Sequence, residues 1–208
     1  MSLELLIGPM FAGKSSAIQS IVRRHQAMNW RVCVITHTSD TRYSTDPAVV
    51  NHDKVAIPAI GCSTLMPLMD NLDFKQSRLV VIEEGQFFDD LVPFVTQAVD
   101  TLDKHVVVVG LDGDAQRRPF GHVLELIPLC DRVTKLTAMC RMCRDGTPAL
   151  FSFAHAKEAT QASVDGVPHV GADDKYAPLC RRHFLAASRP PPPLPPLPPI
   201  DFLTSWGC

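Results

Sequence analysis

The eight residues GPMFAGKS at positions 8 to 15 fit the pattern G-x-x-x-x-G-K-[ST]; the apolar run LELLIG leads into them and KSSAIQSIVRRHQAMN follows. No other stretch narrows the fold so far. A loop that cradles phosphate needs glycines so that successive N–H groups can turn toward phosphate oxygens at the positive end of a helix, and Gly8 and Gly13 hold those places. Pro9, Met10, Phe11 and Ala12 supply the intervening backbone. Lys14 reaches the β- and γ-phosphates, and Ser15 offers a hydroxyl to Mg²⁺. The rival reading is a glycine-rich turn with an incidental lysine, and the strand and helix flanks weigh against it. ATP and Mg²⁺ are therefore the expected cofactors, with the phosphoryl acceptor left open.

Four short runs rich in Val and Ile read as buried strands: LELLIG at 3 to 8, RVCVIT at 31 to 36, RLVVIE at 78 to 83 and HVVVVGL at 105 to 111. A fifth is expected at 133 to 138. Helical spacing of Ile18, Ile21, Val22, His25 and Met28 follows the loop, and a second helix is expected from Leu91 to Leu102. Strands alternating with helices predict an α/β fold, a mostly parallel sheet flanked by helices in the P-loop (RecA-like) manner, over residues 1–138.

RLVVIE ends in adjacent acids, Glu83 and Glu84, followed by Gly85. A carboxylate at the C-terminal edge of a strand beside a phosphate loop is suited to hold Mg²⁺. Neighbouring strand residues face opposite sides, so the two acids are expected to divide the work: Glu83 toward the metal with Ser15, Glu84 toward an acceptor hydroxyl whose proton it could take. In isolation two solvated acids would be the better reading; the phosphate loop reverses that preference.

Of seven cysteines, Cys33, Cys62, Cys130 and Cys208 are isolated. Cys140 and Cys143 form CRMC, and Cys180 and His183 form CRRH, two pairs at the spacing that lets each occupy two corners of a tetrahedron. Four protein ligands leave no open position, so a structural Zn²⁺ is expected, stapling residues 139–187 where short runs broken by Gly and Pro offer little core. A redox CxxC would leave Cys180 and His183 unexplained. A nucleic-acid-binding zinc ribbon lacks support from charge: the net charge is −2 and the pI about 6.4, so no direct DNA or RNA binding is expected.

No run approaches a membrane span, and MSLELLIGPM has neither the basic start nor the apolar length of a signal peptide. A reducing, cytoplasmic location without disulfides is expected. Residues 188–208 hold eight of the eighteen prolines and are expected to be polyproline II or disordered, either as a solvated tail or as a docking segment for an SH3-like or WW-like partner.

Taken in order, GPMFAGKS, DTRY at 40 to 43, EEGQFF at 83 to 88, LDG and QRRPFG at 111 to 121, KLTAMCRMC at 135 to 143 and DKYAPLCRRH at 174 to 183 resemble the type II (cellular and viral, zinc-containing) thymidine kinases over residues 3 to about 186. The resemblance implies ATP-dependent phosphorylation of the 5′-hydroxyl of thymidine or deoxyuridine, for nucleotide salvage, by a homotetramer. It implies Glu84 as the catalytic base, and Asp40, Thr41, Arg42 and Gln86 among the residues near ATP, an arginine there being suited to bidentate phosphate recognition. It also implies a nucleoside held largely by backbone groups of a zinc-anchored lasso. Tyr176 matches an aromatic residue near the sugar. Val167, Pro168, His169, Val170 and Gly171 would lie over the base, with Phe87, Leu111, Ala115 and Phe120 completing the pocket.

Two departures from the family pattern stand out. Glu83 occupies a position usually held by aspartate, its extra methylene pushing the carboxylate outward. Ala115 replaces an aromatic residue that lines the nucleoside site, so either Phe87, Phe88 or Phe120 compensates or the pocket takes a different or larger base. The alternative to a kinase is a nucleotide-binding protein without catalysis that presents its proline-rich tail to a partner.

Overall fold

A computed structural model describes residues 1–38, 48–50, 56–155 and 175–189. Asp40, Thr41, Arg42, the stretch from Val167 to Gly171 and residues 190–208 of the proline-rich tail lie outside the described residues. Strand β1 (Ser2–Ile7) leads through the phosphate loop into helix α1 (Lys14–Gln26), then β2 (Val32–His37), β3 (Ala48–Val50), β4 (Ala56–Pro58) and β5 (Ile60–Cys62). Helix α2 (Leu72–Gln76) precedes β6 (Leu79–Ile82), helix α3 (Leu91–Thr96) precedes β7 (His105–Gly110), and β8 (Arg132–Lys135) closes the main sheet.

The sheet order is β5-β2-β6-β7-β1-β8 and every pairing in it is parallel. Such a sheet buries both faces at its centre, which is why β6 and β7 are apolar runs without polar alternation, while the edge strand β8 is polar and largely exposed. Adjacent side chains still point to opposite sides. Leu5, Ile35, Ile82 and Val108 join Phe74, Phe88, Leu91, Phe94 and Leu126 on one face. Leu6, Val34, Val81 and Val109 meet Ile18 and Val22 of α1 on the other. The helical spacing read from the sequence thus marks the stripe that α1 buries.

Three local differences from the sequence reading have physical causes. The expected helix to Leu102 is α-helical only to Thr96; Gln97–Thr101 form a π turn, in which the Leu102 N–H reaches back to the Gln97 carbonyl at 3.1 Å. The apolar run at 133 to 138 is split, because the chain leaves the sheet after Lys135 and Ala138–Met139 becomes β9 of a separate hairpin. The edge strand β5 has no counterpart among the expected strands, since three residues beside Pro58 and around Gly61 carry no distinct period.

Beyond β9 come β10 (Pro148–Ala149), β11 (Phe151–Ala154), β12 (Tyr176–Leu179) and helix α4 (Arg181–Ala187). β9 pairs antiparallel with β10, and β11 with β12. Their small core consists of Ala138, Cys140, Ala149, Ala177, Leu179, Cys180 and Phe184, with the rings of Phe151 and Phe153 within 5.2 and 5.8 Å of Phe184. So little buried apolar area leaves stability dependent on a further restraint.

Candidate active site and metal centre

The phosphate loop gets its curl from backbone positions that few residues adopt. Gly13 caps α1 with φ 80°, and Phe11 also lies in the left-handed region at φ 64°. Gly8 is required for space: a Cβ there would stand 2.6 Å from the Leu136 carbonyl oxygen. The Lys14 ammonium donates to the carbonyls of Pro9 at 2.9 Å and Gly8 at 3.3 Å, which holds it across the loop. The Met10 N–H donates to Ser152 Oγ at 2.9 Å, and Phe11 and Ala12 pack against the small core beyond β9.

Glu83 follows directly on β6 and keeps the ladder through its N–H, which donates to the Ile35 carbonyl at 2.8 Å. Its side chain is buried and accepts the Ser15 hydroxyl at Oε1, 3.1 Å away. That places a carboxylate and the loop hydroxyl side by side, the donor pair suited to a hard cation. Glu84 is reached through a left-handed backbone, φ 53° and ψ 41°. Strand alternation, with Glu84 carried onto the turn, is the expected cause of the acids' divergence; the strand ends one residue earlier, at Ile82, and the left-handed Glu84 makes the turn.

Gln86 fixes the second acid. Its Nε2 donates to Glu84 Oε2 at 2.5 Å while its Oε1 accepts the Leu111 N–H at 3.0 Å, so both ends of a buried amide are committed. Two glycines make room for it. A Cβ at Gly110 would lie 2.5 Å from Gln86 Oε1, and one at Gly121 would lie 2.1 Å from the Gln86 carbonyl oxygen. Gly121, with φ 55°, is a residue the QRRPFG motif contains but whose reason only the packing reveals.

Phe87 and Phe120 meet edge to face, centroids 5.6 Å apart, and His37 lies 5.6 Å from Phe87. Phe88 is wholly buried in the main core, so of the three aromatics considered for the place left by Ala115 it is unavailable. Ala115 sits on a turn organised by Asp114, whose Oδ1 accepts the Gln116 and Arg118 N–H groups and whose Oδ2 pairs with Arg118 Nε at 2.7 Å. Burial pushes the His37 imidazole below its usual pKa, against the opposing pull of a Ser63 backbone hydrogen bond and of Asp89 and Glu84. Tyr176 opens β12 opposite Ala154, half-buried. Glu84, Gln86, Phe87, Leu111 and Phe120 are thus brought together, and a cavity of about 240 Å³ is lined by Pro9 of the phosphate loop with Asp112, Arg117, Lys135, Phe151 and Ser152. It sits at the carboxyl ends of the parallel strands, where open α/β sheets bind ligands.

The two Cys/His pairs converge. Ligand atoms of Cys140, Cys143, Cys180 and His183 all lie within 4.8 Å of one another. His183 Nδ1 is 3.5, 3.3 and 3.4 Å from the sulfurs of Cys140, Cys143 and Cys180, and the Cys143 and Cys180 sulfurs are 3.8 Å apart. A tetrahedron built on zinc bond lengths has edges of about 3.5 Å from sulfur to nitrogen and about 3.8 Å between sulfurs. The cluster therefore fits Zn²⁺ with no position left for water, which makes the site structural and removes the redox CxxC reading. Burial alone would raise the Cys140 thiol; hydrogen bonds from the Cys180 and Cys143 backbones outweigh it and bring the thiol down to about 6, favouring the thiolate that a metal requires. The cluster forms because Cys180 caps α4 and sets His183 in its first turn.

A phosphate loop between the first strand and helix of a parallel sheet, with a buried acid from the end of β6 against the loop serine, defines a P-loop α/β protein carrying a zinc-anchored appendage. The thymidine kinase family profile matches residues 1–184, and the chain belongs to the thymidine kinase family. It is 39% identical over 187 residues to a thymidine kinase of rice (Oryza sativa subsp. japonica), covering 88% of this chain and 66%, just under two thirds, of that protein. To the thymidine kinase of vaccinia virus (strain Ankara) it is 36% identical over 186 residues, covering 89% of this chain and 97% of the viral one. With the sheeppox virus thymidine kinase it shares 34% over 180 residues.

Proposed function

We propose that this chain transfers the γ-phosphoryl group of ATP to the 5′-hydroxyl of thymidine, giving thymidine 5′-monophosphate for nucleotide salvage, with deoxyuridine and other deoxypyrimidine nucleosides as further acceptors. The observation that carries this reading is the division of two consecutive acids, Glu83 bonded to the phosphate-loop Ser15 and Glu84 to Gln86. Membership of the thymidine kinase family supports the choice of acceptor.

In this reading the loop from Gly8 to Gly13 turns its N–H groups to the phosphates, with Lys14 neutralising charge on the β- and γ-phosphates. Ser15 and Glu83 would hold Mg²⁺, which would neutralise the phosphate charge that otherwise repels the incoming hydroxyl oxygen. Gln86 fixes the Glu84 carboxylate, and Glu84 accepts the 5′-hydroxyl proton as that oxygen bonds to phosphorus and the bond to the leaving ADP breaks. Phe87, Leu111, Ala115, Phe120 and Tyr176 would line the nucleoside pocket. Asp40, Thr41 and Arg42 would add phosphate contacts, and Val167 to Gly171 would close over the base.

The same reading divides the chain into a kinase unit at 1–138, a zinc-anchored lasso unit at 139–187 and a proline-rich tail at 188–208. It assigns a cytoplasmic location and a homotetramer, with the tail either solvated or serving as a docking segment for an SH3-like or WW-like partner. Among the described residues no helix is long and apolar enough to cross a membrane.

The test is incubation of the purified chain with Mg²⁺-ATP and each deoxynucleoside in turn. Thymidine monophosphate is expected, and the rest of the panel reports the acceptor range that Ala115 permits. A chain that binds ATP and yields no monophosphate from any of them is the nucleotide-binding protein of the alternative reading.

A further inference from the structure

Strand β11 stands between two loops that serve different substrates. Ser152, buried in it, accepts the Met10 N–H of the phosphate loop at 2.9 Å across 142 residues of sequence. Phe151, its neighbour, lines one cavity with Ser152, Pro9 and Arg117. There the Arg117 guanidinium lies 5.4 Å from the Phe151 ring centre and 4.9 Å from that of Phe184. Arg117 belongs to the loop that carries Ala115 and leads to Phe120, and its backbone is left-handed at φ 65°. Such a conformation persists only where surrounding contacts hold it. The small core that includes Cys140 and Cys180 also packs directly on Phe11 and Ala12.

We propose that Ser152 and Phe151 are positioning residues through which the zinc-anchored hairpin sets both substrate loops: Ser152 shapes the phosphate loop through Met10, and Phe151 shapes the 112–120 loop through Arg117. The metal site then governs ATP affinity as well as the nucleoside side. This rests on the reading of GPMFAGKS as the ATP loop and of 112–120 as part of the acceptor pocket.

The physical reason is local. An N–H denied its buried acceptor must find another, and in a loop whose other N–H groups are aimed at phosphate, a small rotation at Met10 is passed to its neighbours. The cation over Phe151 and Phe184 works through position too, since a guanidinium on an aromatic face limits the loop without touching a substrate.

The experiment uses the full chain with its zinc and measures the Kd for Mg²⁺-ATP by calorimetry without nucleoside, then KM for thymidine. Ser152→Ala should raise the Kd for Mg²⁺-ATP by roughly fivefold or more, with zinc content and thymidine KM close to those of the unaltered chain. Arg117→Ala should do the reverse, raising thymidine KM by about threefold and leaving the Kd for Mg²⁺-ATP alone. A Kd that Ser152→Ala does not move overturns the inference, as does loss of zinc with both quantities shifting together in both variants. If Ser152→Ala does not accumulate folded, Ser152→Cys, which retains a weak acceptor, is read in the same way: a raised Kd supports the role and an unchanged one ends it. Unaltered chain that binds Mg²⁺-ATP but phosphorylates no nucleoside overturns the kinase reading alone, and the Kd comparison still decides the role of Ser152.

Discussion

The Ser15 hydroxyl donates to Glu83 Oε1 across 3.1 Å, joining the second residue of α1 to the residue that follows β6, 68 positions along the chain. β6 lies two strands from β1 in the sheet, so the contact spans β7, and a longer acid is suited to that distance. The extra methylene of Glu83 relative to aspartate thus has a structural use: it brings a carboxylate from the strand end to the loop hydroxyl. Two roles in the proposed reaction rest on this arrangement, Mg²⁺ binding at Glu83 and proton transfer at Glu84.

Replacing Glu84 by Gln keeps the shape and the contact with Gln86 but removes the proton acceptor. Turnover should fall by about 10² to 10⁴, with the Kd for Mg²⁺-ATP within roughly twofold of the unaltered value, because the side chain is bound to Gln86 and not to Ser15. Steady-state rates with calorimetric binding provide the check. Turnover within a few-fold of normal would remove Glu84 as the base.

Glu83→Gln can still accept from Ser15 but lacks charge. Its apparent affinity for Mg²⁺ should drop by roughly ten- to a hundredfold, comparable with losses at other metal-supporting positions. Glu83→Asp keeps the charge and loses the reach, so activity should survive with a smaller shift. Rates measured against Mg²⁺ at fixed ATP distinguish these, and an unaltered Mg²⁺ profile in Glu83→Gln would show that the residue serves packing alone.

Elemental analysis should find about one zinc per chain. Cys143→Ser, or strong chelation, should unfold the hairpins β9 to β12 with α4 before the main sheet, whose two larger cores do not include the cluster. The expected readout is a melting curve that divides into two steps, the first absent when zinc is restored to the chelated protein. A metal-free chain with a single unchanged transition would contradict the structural role.

Stability should depend on pH in a defined direction at both ends. His37 and His105 both titrate below 6.5 in the folded chain, each chiefly because burial disfavours the charged ring, with the N-terminal amine and Arg78 adding to the effect at His105. Between their lowered values and 6.5 the unfolded chain binds more protons, so stability rises with pH there and is lost on acidification. The urea midpoint should fall from pH 7 to 5.5, and a His37→Asn, His105→Asn double variant should flatten the slope. At the alkaline end burial raises Cys33 and Cys62 from 9.0 to about 11. The unfolded thiols ionise first, and stability should decline again above about pH 9.

Much of the fold and part of the site could be read from local pattern. GPMFAGKS between an apolar run and a helical stripe fixes the strand, loop and helix at the N-terminus, because glycine conformation and side-chain period are properties of neighbouring residues. The same holds for Cys140 with Cys143 and Cys180 with His183, whose spacing already describes half a tetrahedron each. What no local pattern could carry is distance between remote segments. The separation of Glu83 from Glu84 comes from a left-handed backbone after β6, not from strand alternation; Gly110 and Gly121 matter because Gln86 packs against them; Phe88 faces the core while Phe87 meets Phe120. Ser152 carries no signal in the sequence, and Arg117 only its place in QRRPFG, since a lone serine acquires meaning only when a sheet and a Cys/His-anchored hairpin bring it to the Met10 N–H. Sequence by itself determined which chemical groups were present and in what local geometry. Tertiary structure decided which of them meet, because contacts across more than a hundred residues are set by the closing of the sheet and the packing of its two faces.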